Sequence, residues 1–264
     1  MRSGGSFDEG DDVSVTLGLT LLAVDTSSAF CSVALSHEGV VSGEHLMTEQ
    51  SHSENVLPMV RRLLDARGMT VQDVDAFVVG VGPGGFTGVR LGVAVVQGLA
   101  YATGKPVIAL PSLLALAQAA FEAQPVEMTV LVANDARMNQ VYWAAYHFDA
   151  KGVYSEVQAP SLGVLDDVVA CAELQGATTW PTMQLAGNAW TVFEAFKAWS
   201  LAHEAQGIRV AMMDHDAPNA QHLLPAAQLS FAANGGMPPH DVSPLYVRDK
   251  IAQTIAEREA TKAI

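Results

Sequence analysis

The sequence predicts an α/β protein made of two tandem halves, each a mixed sheet flanked by helices. Three observations carry this prediction. Three strand-like runs open the ordered part of the chain; single strand-like runs then alternate with helical ones; and a second series of strands and helices begins near residue 124. At 264 residues, half of them apolar, the chain can bury a sizeable core in one large domain or two small ones.

Residues 1–18 are acidic and rich in small side chains, which reads as a disordered extension rather than a basic-then-apolar signal peptide. The fold is expected to begin near Leu19. LTLLAVDTSS is an apolar run of strand length closed by turn formers, and FCSVALSHEG and VVSGEHLMTE supply two more strands, which together predict an antiparallel meander. SHSENVLPMVRRLLDARG follows as a helix, with Ser51 or Ser53 as N-cap and Gly68 as its stop. On a helical wheel Val56, Leu57, Met59, Val60, Leu63 and Leu64 share one arc, opposite Glu54, Arg61 and Asp65.

AFVVGV is a buried strand, GPGG a loop, Thr87–Gly104 a helix, PVIAL a strand, and Ser112 opens the helix LLALAQAAFEA. Three strands, then helix, strand, helix, strand, helix is the order of one half of an actin-like, ribonuclease-H-like ATPase domain. That half spans residues 19–123, and a second spans 124–264. MTVLVANDARMNQVYWAAYHFD gives two strands around a turn, LGVLDDVVACAEL a helix, and MQLAGNAW a strand and turn. TVFEAFKAWSLA and NAQHLLPAAQLSFAANG are amphipathic helices, and the tail VSPLYVRDKIAQTIAERE starts extended and ends charged.

Composition narrows the function. With 28 acidic against 14 basic residues the net charge is −14, which argues against direct binding of DNA or RNA by the lone chain. Two cysteines, Cys31 and Cys171, form no disulfide framework or metal-ligand spacing, and no apolar run reaches membrane-spanning length; a reduced, cytoplasmic chain is expected.

The glycine-rich loop of Gly82, Pro83, Gly84, Gly85, Thr87 and Gly88 raises the question of a phosphate cradle. It has no lysine, so it is not a P-loop, and Arg90 is the one cation close in sequence. A tight strand-to-helix turn and a nucleotide site both remain open. DTSS, at the end of the first strand, stands where actin-like ATPases place an acid and a phosphate-contacting hairpin. The glycine expected after the acid is replaced by Thr26, which counts against a small-molecule kinase or ATPase. His52 and Glu54 read as a polar helix start, and no histidine pair has the four-residue spacing of a helical metal site. Asp135 and Arg137, on the turn in NDARMNQ, suggest an ion pair holding that turn. No catalytic group, cofactor or metal ligand stands out.

The helix after the loop is unusual. Apart from a narrow sector of Arg90, Gln97 and Tyr101, its body is almost entirely Gly, Ala, Val and Leu. A helix on the outside of a sheet needs an apolar stripe only, so this one is to be covered twice: by its own sheet, and by a second layer of the same chain or a partner protein. Small residues at 88, 92, 94, 98 and 102 would let another helix approach closely.

LLAVDTSSAFCSVAL, EQSHSENVLPMV, GVGPGGFTGVRLGVAVVQGLAYATGKPVIALPSLLALA, DARMNQVYWA and PLYVRDKIAQTIAE together resemble the TsaB family, of the glycoprotease-like group. The resemblance implies a non-catalytic, actin-like subunit of the bacterial machinery for tRNA threonylcarbamoyladenosine. It implies helix-to-helix pairing with the catalytic paralogue TsaD, support for TsaE, and tRNA contact only through the complex. It also implies that the histidine pair of TsaD is replaced here by Leu113, Leu114, Ala115, Leu116 and Ala117. The interface candidates are Val56, Met59, Val60 and Leu63 on one helix, and Val89, Arg90, Gly92, Val93, Ala94 and Gln97 on the next. A homodimer through the same patch is expected for the isolated chain.

Overall fold

The computed structural model describes residues 18–48, 52–176, 183–204, 209–210 and 217–248. The acidic extension (apart from Gly18), the possible cap Ser51 and the charged end of the tail lie outside the described residues.

The three-stranded meander is β1 (Leu21–Asp25), β2 (Phe30–His37) and β3 (Val40–Met47), followed by helix α1 (His52–Asp65). Then come β4 (Ala76–Gly80), α2 (Phe86–Thr103), β5 (Val107–Leu110) and α3 (Ser112–Ala123). Gly104, in the left-handed region at φ 69°, closes α2, and its N–H donates to the Ala100 carbonyl. The first sheet runs β3-β2-β1-β4-β5, with β1, β4 and β5 parallel and β2 and β3 antiparallel.

The second half repeats this plan. Strands β6 (Met128–Asp135), β7 (Val141–Phe148) and β8 (Tyr154–Gly163) form its meander. Helix α4 (Leu165–Gly176), β9 (Met183–Ala186), α5 (Ala189–Val192), α6 (Glu194–His203) and β10 (Arg209–Val210) follow. Read from its antiparallel edge, this sheet runs β8-β7-β6-β9-β10, the order of the first with a matching change from antiparallel to parallel pairing. A short 3₁₀ turn (Ala220–Leu223) and α7 (Leu224–Asn234) come next.

Alternation along the strands sorts the core into layers. Leu22, Val24, Phe77 and Val79 point to one side of the first sheet and meet α1 and α2. Leu21, Ala23, Ala76 and Val78 point to the other and meet α3 and α7. The same cluster contains Val130, Val132, Ala144 and Tyr146 of the second sheet, whose far side packs Leu131, Ala133 and Trp143 against Trp190 and Phe196. The order is helix, sheet, helix, sheet, helix, the two-subdomain actin-like, ribonuclease-H-like architecture. Helix α3 lies between the sheets, with Leu113, Leu114, Ala115, Leu116 and Ala117 all buried. No helix among the described residues is long and apolar enough to cross a membrane.

Three local expectations are corrected. Leu57 does not share the buried arc of α1; it is 50% exposed, while Val56, Met59, Val60, Leu63 and Leu64 pack on the sheet. Ser53 lies inside α1, which starts at His52. The Asp135 carboxylate holds its turn by accepting the Arg137 backbone N–H at 2.7 Å rather than by a side-chain ion pair.

Candidate functional site

The glycine-rich loop joins the C-terminal end of β4 to α2, beside the turn that joins β1 to β2. The sequence allows that turn to lie directly on the loop and helix. A Cβ at Gly84 would strike the Ser27 carbonyl, one at Gly88 the Thr26 carbonyl, and one at Gly92 would come within 2.6 Å of Thr26 Oγ1. These three glycines, spaced by four, make a groove that the DTSS turn fills.

Hydrogen bonds fix the contact. Gly85 N–H donates to the Ser27 carbonyl at 2.7 Å, and the Thr26 hydroxyl donates to the Gly88 carbonyl at 2.7 Å. His52 Nε2 donates to the Ser28 carbonyl at 3.0 Å, while its Nδ1 lies 2.8 Å from the Thr48 hydroxyl, so the first turn of α1 joins the same cluster. Gly82 N–H donates to Ser112 Oγ at 3.0 Å. Two N–H groups that a phosphate cradle would offer are therefore spent within the chain, and this loop acts as a packing surface.

Asp25 is buried at the centre of this arrangement. Its Oδ1 accepts the Ser27 N–H at 2.8 Å and the Ser27 hydroxyl at 2.7 Å, and Oδ2 lies where a Gly80 side chain would be. Burial pushes the carboxyl pKa up, opposed by the Ser27 hydrogen bonds to Oδ1, while the buried Oδ2 has no hydrogen-bond partner among the described residues. Among the described residues no group of three His, Cys, Asp or Glu side chains could hold a metal ion.

Helix α2 divides its circumference. Gly88, Val89, Gly92, Val93, Val96 and Ala100 are buried within the chain. Gln97 is half-buried, its amide donating to the Pro239 and Val242 carbonyls at 2.9 and 3.0 Å. The remaining arc, Thr87, Arg90, Ala94, Gly98, Tyr101 and Ala102, is exposed, with Leu91 and Val95 half-buried at its margin. Tyr101 is 85% exposed, and nothing lies within 4 Å of a Cβ built on Gly98.

Of the interface candidates, the structure leaves Arg90 and Ala94 on this open arc and Gln97 at its rim. The other candidates, Val56, Met59, Val60, Leu63, Val89, Gly92 and Val93, are buried within the chain itself, because both wheels' most apolar arcs meet its own sheet. Sequence reasoning passed over Leu91, Gly98 and Tyr101 as site residues, and Leu57, Pro58 and Arg61 on the outer side of α1, all placed away from the sheet. The signal was present: the loop and helix together carry two small-residue stripes at spacing four, 84/88/92 and 94/98/102, and only the first is filled. The open face combines this second stripe with the outer side of α1.

Residues 39–256 match the sequence family described as "TsaD: tRNA N6-adenosine threonylcarbamoyltransferase". A relative from Escherichia coli (strain K12), named tRNA threonylcarbamoyladenosine biosynthesis protein TsaB, is 32% identical over 234 residues, covering 89% of this chain and 96% of its own. A Haemophilus influenzae protein of the same name is 33% identical over 88% of this chain and 95% of its own. A crystal structure of a Pseudomonas aeruginosa protein described as similar to peptidase YeaZ superposes with a TM-score of 0.72 at 34% identity, covering 87% of this chain and all of that one. A second structure, YeaZ from Pseudomonas aeruginosa, gives 0.70 at 35% identity, covering 86% and 99%.

Proposed function

Since this chain belongs to the TsaB family of tRNA threonylcarbamoyladenosine biosynthesis proteins, we propose that it acts in this modification as a non-catalytic subunit that docks TsaD on the open face of α1 and α2. The observation that carries the reading is the small-residue arc of Ala94, Gly98 and Ala102, exposed on a helix whose opposite arc is built into the chain's own core. Such an arc lets a second helix come close, and the half-buried Leu91 and Val95 beside it supply apolar surface to bury. The outer side of α1, with Leu57, extends the patch.

The matched family is described as a transferase, whereas the relatives that align along nearly their whole length are named as biosynthesis proteins. Helix α3 favours a subunit without chemistry of its own. The positions at which the family resemblance places the histidines of TsaD are here leucines and alanines, packed between two sheets. The filled groove at the glycine-rich loop also weighs against a kinase-like site. TsaE is taken to act on the assembled pair, tRNA to be contacted through it, and the isolated subunit to pair with itself through the same face.

Reconstitution tests this. The purified chain alone is expected to leave unmodified tRNA unchanged, and to restore threonylcarbamoyladenosine when mixed with TsaD, TsaE and the adenylate-forming enzyme, read by nucleoside mass spectrometry. Modification by the lone chain would overturn the non-catalytic reading. Full modification without it would overturn the subunit reading.

A further inference from the structure

The C-terminal segment Val242–Arg248 crosses from one half of the molecule to the other. Val242 is buried under α2, and its carbonyl accepts the Gln97 amide. Leu245 N–H donates to the Val81 carbonyl at 2.8 Å, immediately before the glycine-rich loop. Tyr246 then meets the open face of α2: Arg90 Nε donates to the Tyr246 hydroxyl at 2.7 Å, and the guanidinium carbon lies 3.4 Å from the centre of the Phe86 ring and 5.3 Å from that of Tyr246. Two residues on, Arg248 grips the β6–β7 turn of the second sheet. Its Nη2 donates to the Ala136 carbonyl at 3.0 Å and to Gln140 Oε1 at 3.2 Å, and Nη1 reaches Met138 Sδ at 3.5 Å.

That turn is strained. Arg137, Met138 and Asn139 occupy the left-handed region in succession, at φ 64°, 56° and 57°. Side chains other than glycine hold such backbone only where the surroundings fix it. Within the turn the ties are Ala136 N–H to the Gln140 carbonyl, Gln140 N–H to the Arg137 carbonyl, and the Asp135 cap. Arg248 adds a clamp from outside, on the backbone of one side of the turn and the side chain of the other.

We propose that Val242–Arg248 is a strap coupling the α2 docking face to the β6–β7 turn, with Arg90–Tyr246 as its sensor and Arg248 as its grip. It rests on the reading that TsaD docks on α2. A helix seated beside Arg90 restricts the Arg90–Phe86–Tyr246 stack, and the short chain from Tyr246 to Arg248 passes that restriction to the turn at the second sheet. The strap thereby makes the second half responsive to a partner bound on the first.

Hydrogen–deuterium exchange on the full chain tests this, with and without TsaD. In the free protein Arg248→Ala is expected to speed exchange of the Ala136 and Gln140 amides by about tenfold, with Arg248→Lys intermediate and the β1–β2 hairpin unchanged. TsaD is expected to slow exchange of these two amides in the wild type but not in Arg248→Ala, although both proteins bind it. Equal exchange of the free wild type and Arg248→Ala would overturn the grip. Equal slowing by TsaD in both would overturn the coupling, as would bound TsaD leaving the turn of the wild type unaffected. If TsaD fails to bind the wild type, the docking reading and the coupling both fall, while the free-chain comparison still decides the grip.

Discussion

Asp25 illustrates how much a single residue's environment decides. In the sequence it is an acid after a strand; in the fold it is a carboxyl enclosed by Gly80, Ser27 and Ser112. Its pKa is raised on folding, so the native state holds its proton more tightly than the unfolded chain does. The sign follows: stability from this group is fullest below the ordinary value of 3.8 and declines as pH rises toward the folded value. Asp25→Asn, which keeps an acceptor for the Ser27 donors, is expected to melt higher than the wild type at pH 7.5. The gap should be on the order of 2–4 °C for each kcal/mol of relieved ionisation cost, and should narrow as pH falls toward 4 in thermal melts at stepped pH.

Glycines divide in the same way. Gly92→Leu has no room against Thr26 and is expected to cost about 1–3 kcal/mol or more in the lone chain, measured by denaturant unfolding. Gly98→Ala meets nothing and removes a helical glycine, so it is expected to stabilise by roughly 0.5–1 kcal/mol. The sequence shows both as glycines of one apolar helix; only the position of the DTSS turn separates them. A wheel reports periodicity but carries no information on which arc a distant segment will occupy.

At the scale of elements, long periodic segments were legible and the irregular edge strand β8 was not. The meander, α1, α2, α3 and the β6–β7 pair follow from apolar runs bounded by turn formers. Strand β8 was missed because YSEVQAPSLG has no clean alternation and contains Pro160. It lies at a sheet edge, mostly half-exposed, and its register against β7 shifts near Ala145. Helix α3 was legible as a helix but not as a partition, since its composition does not say that two sheets will clasp it. That position predicts cooperativity. Leu116→Ala, which opens a cavity between the two halves, is expected to cost about 2–5 kcal/mol. It should lower one calorimetric transition for the whole molecule rather than release one half first. Two separated transitions would show that the halves fold independently.

For the whole molecule, duplication and charge set what the chain can do. Two sheets of the same order enclose α3, and the segment from Ala220 returns to the first sheet, where Ser32 Oγ accepts the Ala220 N–H at 2.8 Å. C-terminal residues thus pack on the first sheet, across the boundary read at residue 123. A chain of net charge −14 is expected to retain no tRNA alone in a filter-binding assay at physiological salt, and to retain it only when in complex. The two-fold plan was legible from element order, and the family from the glycine-rich stretch; the docking arc was not, because it is defined by what the rest of the fold leaves uncovered.

The most direct measurement is the affinity for TsaD of Ala94→Trp beside that of the wild type, by calorimetry, with circular dichroism melts as the control for folding. A tryptophan at 94 stands on the open arc of α2 and touches none of the chain's core. The predicted result is a melting curve like that of the wild type with binding weakened at least about a hundredfold. An unchanged melt with undiminished binding would contradict the account, placing the partner on another face.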